Sequence, residues 1–146
     1  DPNNKPVSLY NVNADYTVVC FWDPNCGHCK EVVPKLDSMY KAKWKQRNVK
    51  IFGVLTPDGK EANVMTAWSA FISSHNLNDW FHAYQTKEAE EKAIAEHRPG
   101  FRQLYDITMT PTLFLLDKEK RIIAKKLTWE QMNDLLEVKW KNPSGN

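Results

Sequence analysis

Two cysteines separated by two residues form the pattern with the clearest chemistry in the chain, Cys26-Gly27-His28-Cys29. They stand between a predicted strand and a predicted helix, so Cys26 is expected at a helix N-terminus. Unpaired N–H groups and the helix macrodipole favour an anion there. Because the thiolate is the nucleophilic form of cysteine, this position predicts that Cys26 attacks disulfides at neutral pH. Cys29, one turn further along, would resolve the mixed disulfide and release the reduced substrate.

The two residues between the cysteines, Gly27 and His28, are expected to tune the redox pair. An imidazole there can carry positive charge and stabilise the Cys26 thiolate, and stabilising the reduced form makes the disulfide more oxidising. A lone C-x-x-C is also typical of half a zinc site. No second C-x-x-C exists and the other three histidines fall in poorly defined segments. We therefore expect no metal and no cofactor.

Four apolar segments predict the strands that hold this pair. Residues 16–22 and 49–55 are nearly continuous apolar and β-branched runs, as in strands buried on both faces. Residues 112–116 and 121–124 read as a hairpin, joined by a polar turn at 117–120. Together with the intervening helices, these strands predict an α/β sandwich with a mixed sheet.

Apolar residues at helix spacing predict three amphipathic helices. The first follows Cys26, the second lies near residue 70, and the third opens with a capping box made by Thr128 and Gln131. Their expected inward-facing residues are, in order, Val32, Leu36, Met39, Tyr40 and Trp44; Val64, Trp68, Phe71 and Ile72; and Met132, Leu135, Leu136 and Trp140.

Residues 77–106 carry weaker signals. Trp80, Phe81 and Tyr84 suggest a short strand, and Lys87 to Ala95 suggest a polar helix that stops before Pro99-Gly100. An aromatic cluster of the inserted segment is expected to pack in the core, with a partner-binding surface as the alternative; its members are Trp68, Phe71, Trp80, Phe81 and Tyr84. We expect a single domain over residues 1–141 and a disordered tail over 142–146, whose composition favours turns.

The composition limits the classes of binding partner that we expect for this chain. A net charge of +2 gives no electrostatic reason to propose nucleic acid or an acidic membrane. The densest basic stretch, Lys41 to Lys50, falls at a predicted helix end, where cations complement the last carbonyl groups. No run reaches the roughly 18 apolar residues of a membrane span, and no signal peptide opens the chain. Residues 1–6 look like the middle of a loop, so an excised domain or a processed product is expected.

The stretch 21–30 resembles the active site of the thioredoxin superfamily, and its Gly-His pair is similar to that of protein disulfide isomerases. Pro34 matches the proline that kinks the active-site helix in that superfamily. Thr110-Pro111-Thr112 resembles the family's cis-proline loop, which touches substrate backbone. The resemblance therefore implies a cis bond before Pro111 and a substrate-contacting loop that includes Trp22, Thr110 and Pro111. Packing in the core is the alternative for Trp22.

Within the superfamily, the chain most resembles the TlpA/ResA-like branch, which is related to the AhpC/TSA family. The pointers are an initial strand at 5–9, a long segment between Leu55 and Thr110, and the pattern of 112–117 and 121–123. The resemblance implies a thioredoxin fold with a central mixed β-sheet flanked by helices and an inserted segment before the cis-proline loop. It also implies a bacterial protein outside the cytoplasm, in the periplasm or cell envelope.

These features predict a thiol–disulfide oxidoreductase of the protein-disulfide reductase or isomerase type. Its partners would be disulfide-containing client proteins and an unidentified thiol electron donor. Members of this branch are often membrane-tethered, so the resemblance implies that a tether, if this protein has one, would be an N-terminal region outside this sequence. A non-catalytic binding module and a metallochaperone remain as alternatives, although a pure binder needs neither sulfur.

Two departures from the family pattern carry consequences. Peroxiredoxins of the related family need a T-x-x-C peroxidatic site. This sequence has Cys29 of the C-x-x-C pair in its place, so peroxidase activity is not expected. Cys20 occupies the place of the buried acid that thioredoxins keep six residues before the first active-site cysteine. We expect Cys20 to be structural, since burial raises a thiol's pKa and keeps it inert. Proton transfer from Cys29 would then depend on water or on a nearer acid such as Asp23 or Glu31.

Overall fold

The computed structural model describes residues 7–57, 63–85, 87–98 and 105–141 of the 146-residue chain. These residues form five strands and four α-helices, with short 3-10 and π turns between them. The strands are β1 (Tyr16–Trp22), β2 (Val49–Leu55), β3 (Phe81–Ala83), β4 (Thr112–Leu116) and β5 (Ile122–Lys125). The α-helices are α1 (Gly27–Met39), α2 (Val64–Ser74), α3 (Lys87–Ala95) and α4 (Trp129–Lys141).

The strands form one mixed sheet in the order β3-β2-β1-β4-β5. β1, β2 and β3 run parallel, while β4 is antiparallel to both β1 and β5. Cys20, in the middle of β1, is paired with Gly53 on one side and Leu113 on the other. β1 is therefore the central strand, which explains its continuous apolar sequence. The predicted mixed sheet is confirmed.

α1 contributes Cys29, Val33 and Leu36 to the core that it shares with the sheet, and it continues through a π turn at Tyr40–Trp44. Leu36, Tyr40 and Trp44 are buried as the helix spacing predicts. The prediction for Val32 is wrong, because Val33 is the fully buried residue of this turn and Val32 is only half-buried. Pro34 lies inside α1, as the resemblance implied.

The capping box predicted for α4 is present. The Thr128 N–H donates to Gln131 Oε1 at 2.9 Å, and the Gln131 N–H donates to Thr128 Oγ1 at 3.1 Å. These two bonds satisfy backbone donors that the first turn would leave unpaired. They fix the start of α4 beside the loop that precedes β4, and Met132 and Leu136 reach the core.

The segment between β2 and β4 contributes α2, β3 and α3. Trp68 and Trp80 are buried, which favours the core alternative for these aromatic residues, whereas Phe81 is 37% exposed. The Trp80 indole N–H donates at 2.9 Å to the buried Asp37 carboxylate of α1 and so ties this segment to the active-site helix. Trp80 itself precedes β3 rather than belonging to it. The predicted stop at residues 99–100 lies outside the described residues.

Four further expectations concern the initial strand, the basic stretch, a membrane span and the tail. The initial strand expected at 5–9 is wrong in its described part, since Leu9–Asn11 forms a 3-10 turn and Val7 and Ser8 belong to no strand. In the basic stretch, Lys41 and Lys45 pair with Asp37 and Asp79 at the helix end. None of the described helices is both long enough and apolar enough to cross a membrane. The expected tail at 142–146 lies outside the described residues.

Candidate active site

Cys26 lies at the junction between β1 and α1, and the turn that joins these two elements fixes the position of Cys26. Asp23 makes this turn: its carbonyl oxygen accepts from the Cys26 N–H at 3.1 Å, and its carboxylate accepts from the Asn25 N–H at 2.9 Å. Cys26 is the N-cap of α1, with extended backbone at φ −79° and ψ 126°. Its side chain makes no capping bond, so the sulfur remains available at the helix start.

The pKa of the Cys26 thiol lies below its ordinary value. Partial burial raises it, but hydrogen bonds outweigh that effect: they come from the Cys29 backbone, the side chains of Thr110 and Cys29, and the His28 backbone. Donors aimed at a sulfur favour its thiolate form. The structure thus supplies the environment that the sequence position predicts for an attacking thiol.

Cys29 has the opposite surroundings, although it is only one helix turn away. Its side chain is 0% exposed, and burial raises its pKa to about 12. Hydrogen bonds from the Asp23 backbone and the Thr110 side chain oppose this rise, while the Cys26 sulfur adds to it. No carboxylate is among these influences: the Asp23 side chain serves the turn, and Glu31 is exposed. The expectation that either acid serves Cys29 therefore finds no support in the geometry.

The Thr110–Pro111 loop lies against the two sulfurs. Its peptide bond is cis, which confirms the expectation. Cys26 Sγ lies 3.6 Å from the Thr110 carbonyl oxygen, to which the thiol form donates. The loop is held by the Thr112 hydroxyl, which donates to the Met109 carbonyl at 2.6 Å. The antiparallel pairing of β4 with β1 then brings the loop to the same edge as Cys26.

A groove of about 460 Å³ lies between α1, the loop that contains Pro111 and the start of α4, with His28 and Pro111 among its lining residues. Apolar side chains form much of its wall, with charged groups at its rim. The apolar lining comes from Val32, Met109, Pro111, Leu113, Leu127 and Trp129, and the ionisable groups are His28, Glu31, Lys35, Lys126 and Glu130. Val32 and Met109 were missed as site residues in the sequence, although their places beside the C-x-x-C and the Thr-Pro pair could have indicated them.

The structure separates the other predicted site residues into two groups. Gly27 and His28 are exposed at the start of α1, and His28 lines the groove. A side chain at position 27 would meet open space. Trp22, by contrast, is 0% exposed and packs over Gly53, where a Cβ would come within 3.0 Å of the indole Nε1. The core alternative holds for Trp22, because its buried side chain presents no surface to a client.

Cys20 lies in the core on β1 with 0% exposure. Burial raises its pKa well above the ordinary value, and the nearby Cys29 sulfur raises it further. Cys20 and Cys29 are therefore close enough for a charge on one sulfur to affect the pKa of the other. Among the described residues, no group of three or more His, Cys, Asp or Glu side chains is arranged to hold a metal ion.

Solved structures of bacterial proteins are similar to this chain. A domain of a possible thiol-disulfide isomerase from Cytophaga hutchinsonii is 29% identical, with a TM-score of 0.77 over 99% of this chain and 88% of that one. A thiol:disulfide interchange protein from a Bacteroides species is 26% identical, with a TM-score of 0.67 over 93% of this chain and 80% of that one. No curated protein matches the sequence.

The fold and the cysteine pair thus define the class: a thioredoxin-fold protein of the thiol–disulfide oxidoreductase kind, with a mixed sheet flanked by helices. A family model described as "AhpC/TSA family" matches residues 1–125. The chain belongs to the AhpC/TSA family, and within it to the TlpA-like proteins of the thioredoxin superfamily.

Proposed function

We propose that this protein exchanges disulfides with client proteins, with Cys26 as the attacking thiol and Cys29 as the resolving thiol. The observation that carries the proposal is the contrast between the two sulfurs within one helix turn. Cys26 is partly exposed, borders the groove loop and has a lowered pKa, whereas Cys29 is buried with a pKa of about 12. Only Cys26 is accessible to a substrate disulfide, whereas burial keeps Cys29 from reacting with solvent thiols or disulfides.

The reduction of a client proceeds in two balanced steps. The Cys26 thiolate attacks one sulfur of the client disulfide, a mixed disulfide forms, and the other client sulfur leaves as a thiolate. Cys29 then bonds to the Cys26 sulfur, the bond between Cys26 and the client breaks, and the second client sulfur leaves reduced. After the second step the protein contains a Cys26–Cys29 disulfide, which a thiol electron donor must reduce. Isomerisation follows when a client thiol attacks the mixed disulfide first.

The groove supports a polypeptide client over a small thiol alone. Its apolar wall and charged rim extend from His28 past Pro111 to the first residues of α4. Pockets of this kind fix orientation with a few polar groups while apolar side chains supply most of the contact. The proposed client contacts are Pro111, which lines the groove, and Thr110, whose carbonyl oxygen lies 3.6 Å from Cys26 Sγ, in the manner that the thioredoxin resemblance implies.

The bacterial sources of the similar structures support a bacterial origin. The TlpA/ResA-like resemblance implies the extracytoplasmic setting, in a periplasm or cell envelope, that we propose as the location. There the electron donor would be another thiol protein, and tethering to the membrane would use a region outside this sequence. A measured reduction potential would fix the direction of exchange. A potential of about −270 mV favours a reductase, and one of about −180 mV favours an isomerase or oxidase.

Single serine variants test the assignment. Cys26→Ser should lower dithiothreitol-driven insulin reduction by at least about a hundredfold, since the nucleophile is removed. Cys29→Ser should accumulate mixed disulfides with clients, visible as adducts on non-reducing gels that dithiothreitol removes. Cys20→Ser is the matched control and should retain both steps. Equal trapping by the Cys26 and Cys29 variants would contradict the division of roles.

A further inference from the structure

The groove between α1, the Pro111 loop and the start of α4 adjoins the reactive sulfur. Cys26 Sγ lies 3.6 Å from the Thr110 carbonyl oxygen, and the next residue in the chain, Pro111, lines the groove. His28, two residues after Cys26, lines it from α1. Each residue of an extended client segment spans about 3.3 Å. The residues next to a client cysteine that is bonded to Cys26 are therefore within reach of the groove.

The apolar side chains of the groove differ in depth. Leu113 is the most buried of them, at 2% exposure, whereas Val32 from α1 and Trp129 from α4 are half-buried and the Met109 side chain is 70% exposed. The Thr112 hydroxyl holds the Met109 carbonyl at 2.6 Å, so the backbone is fixed while the side chain projects. A thioether adapts its shape to a partner. Apolar surface left open beside a reactive centre indicates contact with a partner.

The charged groups of the groove differ in whether they are already paired. Lys126 Nζ lies 3.0 Å from the Asp106 carboxylate, which balances its charge. Within the part of the chain that the structure describes, no ion pair engages Glu31, Lys35 or Glu130. Two carboxylates and one ammonium group leave a local net charge of −1, on a chain whose overall charge is +2. The rim of the groove therefore complements a cationic side chain.

We propose that this groove selects clients by taking a bulky apolar side chain and a basic side chain from the residues beside the client cysteine. The inference rests on the proposed function and names the class of client for the same site. The apolar side chain packs against Val32, Met109 and Trp129, and the basic side chain pairs with the carboxylates of Glu31 and Glu130. Selection acts on binding and leaves the exchange at sulfur unchanged.

Peptides that carry one cysteine as a mixed disulfide with 2-thiopyridine test this selection. The Cys26 thiolate attacks the peptide sulfur, a disulfide forms between Cys26 and the peptide, and 2-thiopyridone leaves, so its absorbance gives the rate. The peptides place leucine or alanine at each position from three before to three after the cysteine, with arginine or glutamate beside it. At the preferred position, leucine should lower the half-saturating peptide concentration about tenfold relative to alanine, at an unchanged maximal rate.

The preference for a basic residue has its own signature, which is its dependence on salt. Arginine should lower the half-saturating concentration about fivefold relative to glutamate at roughly 0.01 M salt, and this advantage should disappear at roughly 1 M salt. The double variant Glu31→Gln/Glu130→Gln should lose the advantage at low salt. Glu88→Gln is the matched control, because Glu88 and Glu130 each stand in the first turn of a helix and Glu88 is not among the groove residues.

Substitutions at position 109 test the apolar contact. Met109→Ala should remove most of the preference for leucine, and Met109→Leu should keep it. Because the side chain is 70% exposed, its truncation opens no cavity in the core. Met65→Ala is the matched control, since Met65 is also an exposed methionine but lies on α2, outside the groove lining.

Several outcomes would overturn the selection. These are equal half-saturating concentrations for leucine and alanine at every position, no difference between arginine and glutamate, or equal effects of Met109→Ala and Met65→Ala. A preference that disappears as the protein concentration rises would also overturn it, since a second copy of this chain would then occupy the groove. The disulfide 2,2′-dithiodipyridine carries no peptide and separates the two levels. If the reduced protein reacts with it but does not discriminate peptides, only the selection fails; if it reacts with neither, the proposed function fails.

Discussion

Cys26 and Cys29 carry the same side chain on the same helix, and the difference between their surroundings shows how one turn of backbone separates two chemical roles. At Cys26 the donors of the helix start outweigh the effect of partial burial. At Cys29 the sulfur is 0% exposed, and burial outweighs the hydrogen bonds from Asp23 and Thr110. Depth below the surface, more than the identity of the nearby residues, sets the reactivity of each thiol.

Cys20 extends the comparison into the core. It lies on β1 among apolar side chains, and its pKa is raised both by burial and by the nearby Cys29 sulfur. The partly exposed Cys26 thus has a lowered pKa, and the two buried thiols, Cys29 and Cys20, have raised pKa values. Thioredoxins, which this chain resembles, keep an acid at the position of Cys20, whereas the raised pKa of Cys20 keeps this buried position uncharged.

The largest expected effect is the difference in alkylation rate among these three thiols. At pH 8 a thiol with the ordinary pKa of 9.0 is about one-tenth thiolate, and one with a pKa of about 12 is about 10⁻⁴ thiolate. Cys26, with a lowered pKa, should therefore react with iodoacetamide at least about a thousandfold faster than Cys29. Peptide mapping by mass spectrometry of the reduced native protein would measure each rate.

The same experiment in denaturant provides the control. All three cysteines should react at similar rates once the fold that distinguishes them is lost, since their pKa values return to the ordinary range. In the native protein Cys20 should remain unlabelled. Rapid labelling of native Cys20, or its appearance in a disulfide with Cys26 or Cys29, would contradict the structural role and indicate a three-cysteine relay.

Alkaline stability should differ between the reduced and oxidised protein by several kcal/mol. The pKa of Cys29 is raised on folding, so its contribution to stability is complete below pH 9 and is lost as the pH rises towards 12, where the unfolded chain releases its proton first. Each such thiol changes the free energy of unfolding by about 1.4 kcal/mol per pH unit in this window. Cys20 acts in the same direction.

Disulfide formation removes Cys29 from this titration and leaves Cys20 in place. Urea unfolding between pH 8.5 and 11 should therefore show the steeper loss of stability in the reduced protein. Tyr40 and Tyr105 also have raised pKa values, but both redox forms contain them, so the difference between the two forms isolates the cysteine pair. Parallel curves for the two forms would show that Cys29 does not keep its proton in the fold.

Local patterns predicted most of the fold. The apolar run of β1, the capping box of Thr128 and Gln131, and the C-x-x-C at a strand-to-helix junction are encoded by near neighbours in the chain. The predicted mixed sheet also agrees with the structure. These features need only periodicity and turn chemistry, so a single sequence contains enough information for them.

Other features depend on contacts between distant residues and were missed or wrong. Val33 rather than Val32 faces the core because the helix is rotated by its packing, which periodicity determines only to within a residue. The bond between Trp80 and Asp37 joins residues 43 positions apart. The action of Thr110 on both sulfurs likewise arises only when β4 pairs with β1, and no local pattern encodes it.

The smallest expected effect concerns His28 and sharpens the account of why Cys26 is the reactive thiol. The sequence suggested that the imidazole stabilises the thiolate. In the structure the His28 side chain is exposed, and His28 helps to lower the Cys26 pKa through its backbone, as the smallest of four hydrogen-bond effects. Position 28 lies in the first turn of α1, where proline is tolerated. Proline and alanine at this position therefore distinguish the two sources: both remove the imidazole, and only proline removes the N–H.

His28→Pro should make the Cys26–Cys29 couple more reducing, because loss of the N–H donor raises the Cys26 pKa and destabilises the reduced form. The shift should be about 30 mV for each unit by which the pKa rises. His28→Ala keeps the donor, so its potential should stay closer to that of the unmodified protein. Equilibration against glutathione buffers, followed by trapping with acid, measures all three potentials. If alanine shifts the potential as far as proline, the imidazole and not the backbone stabilises the thiolate. If neither shifts it, the remaining donors from Cys29 and Thr110 hold the Cys26 pKa down without help from position 28.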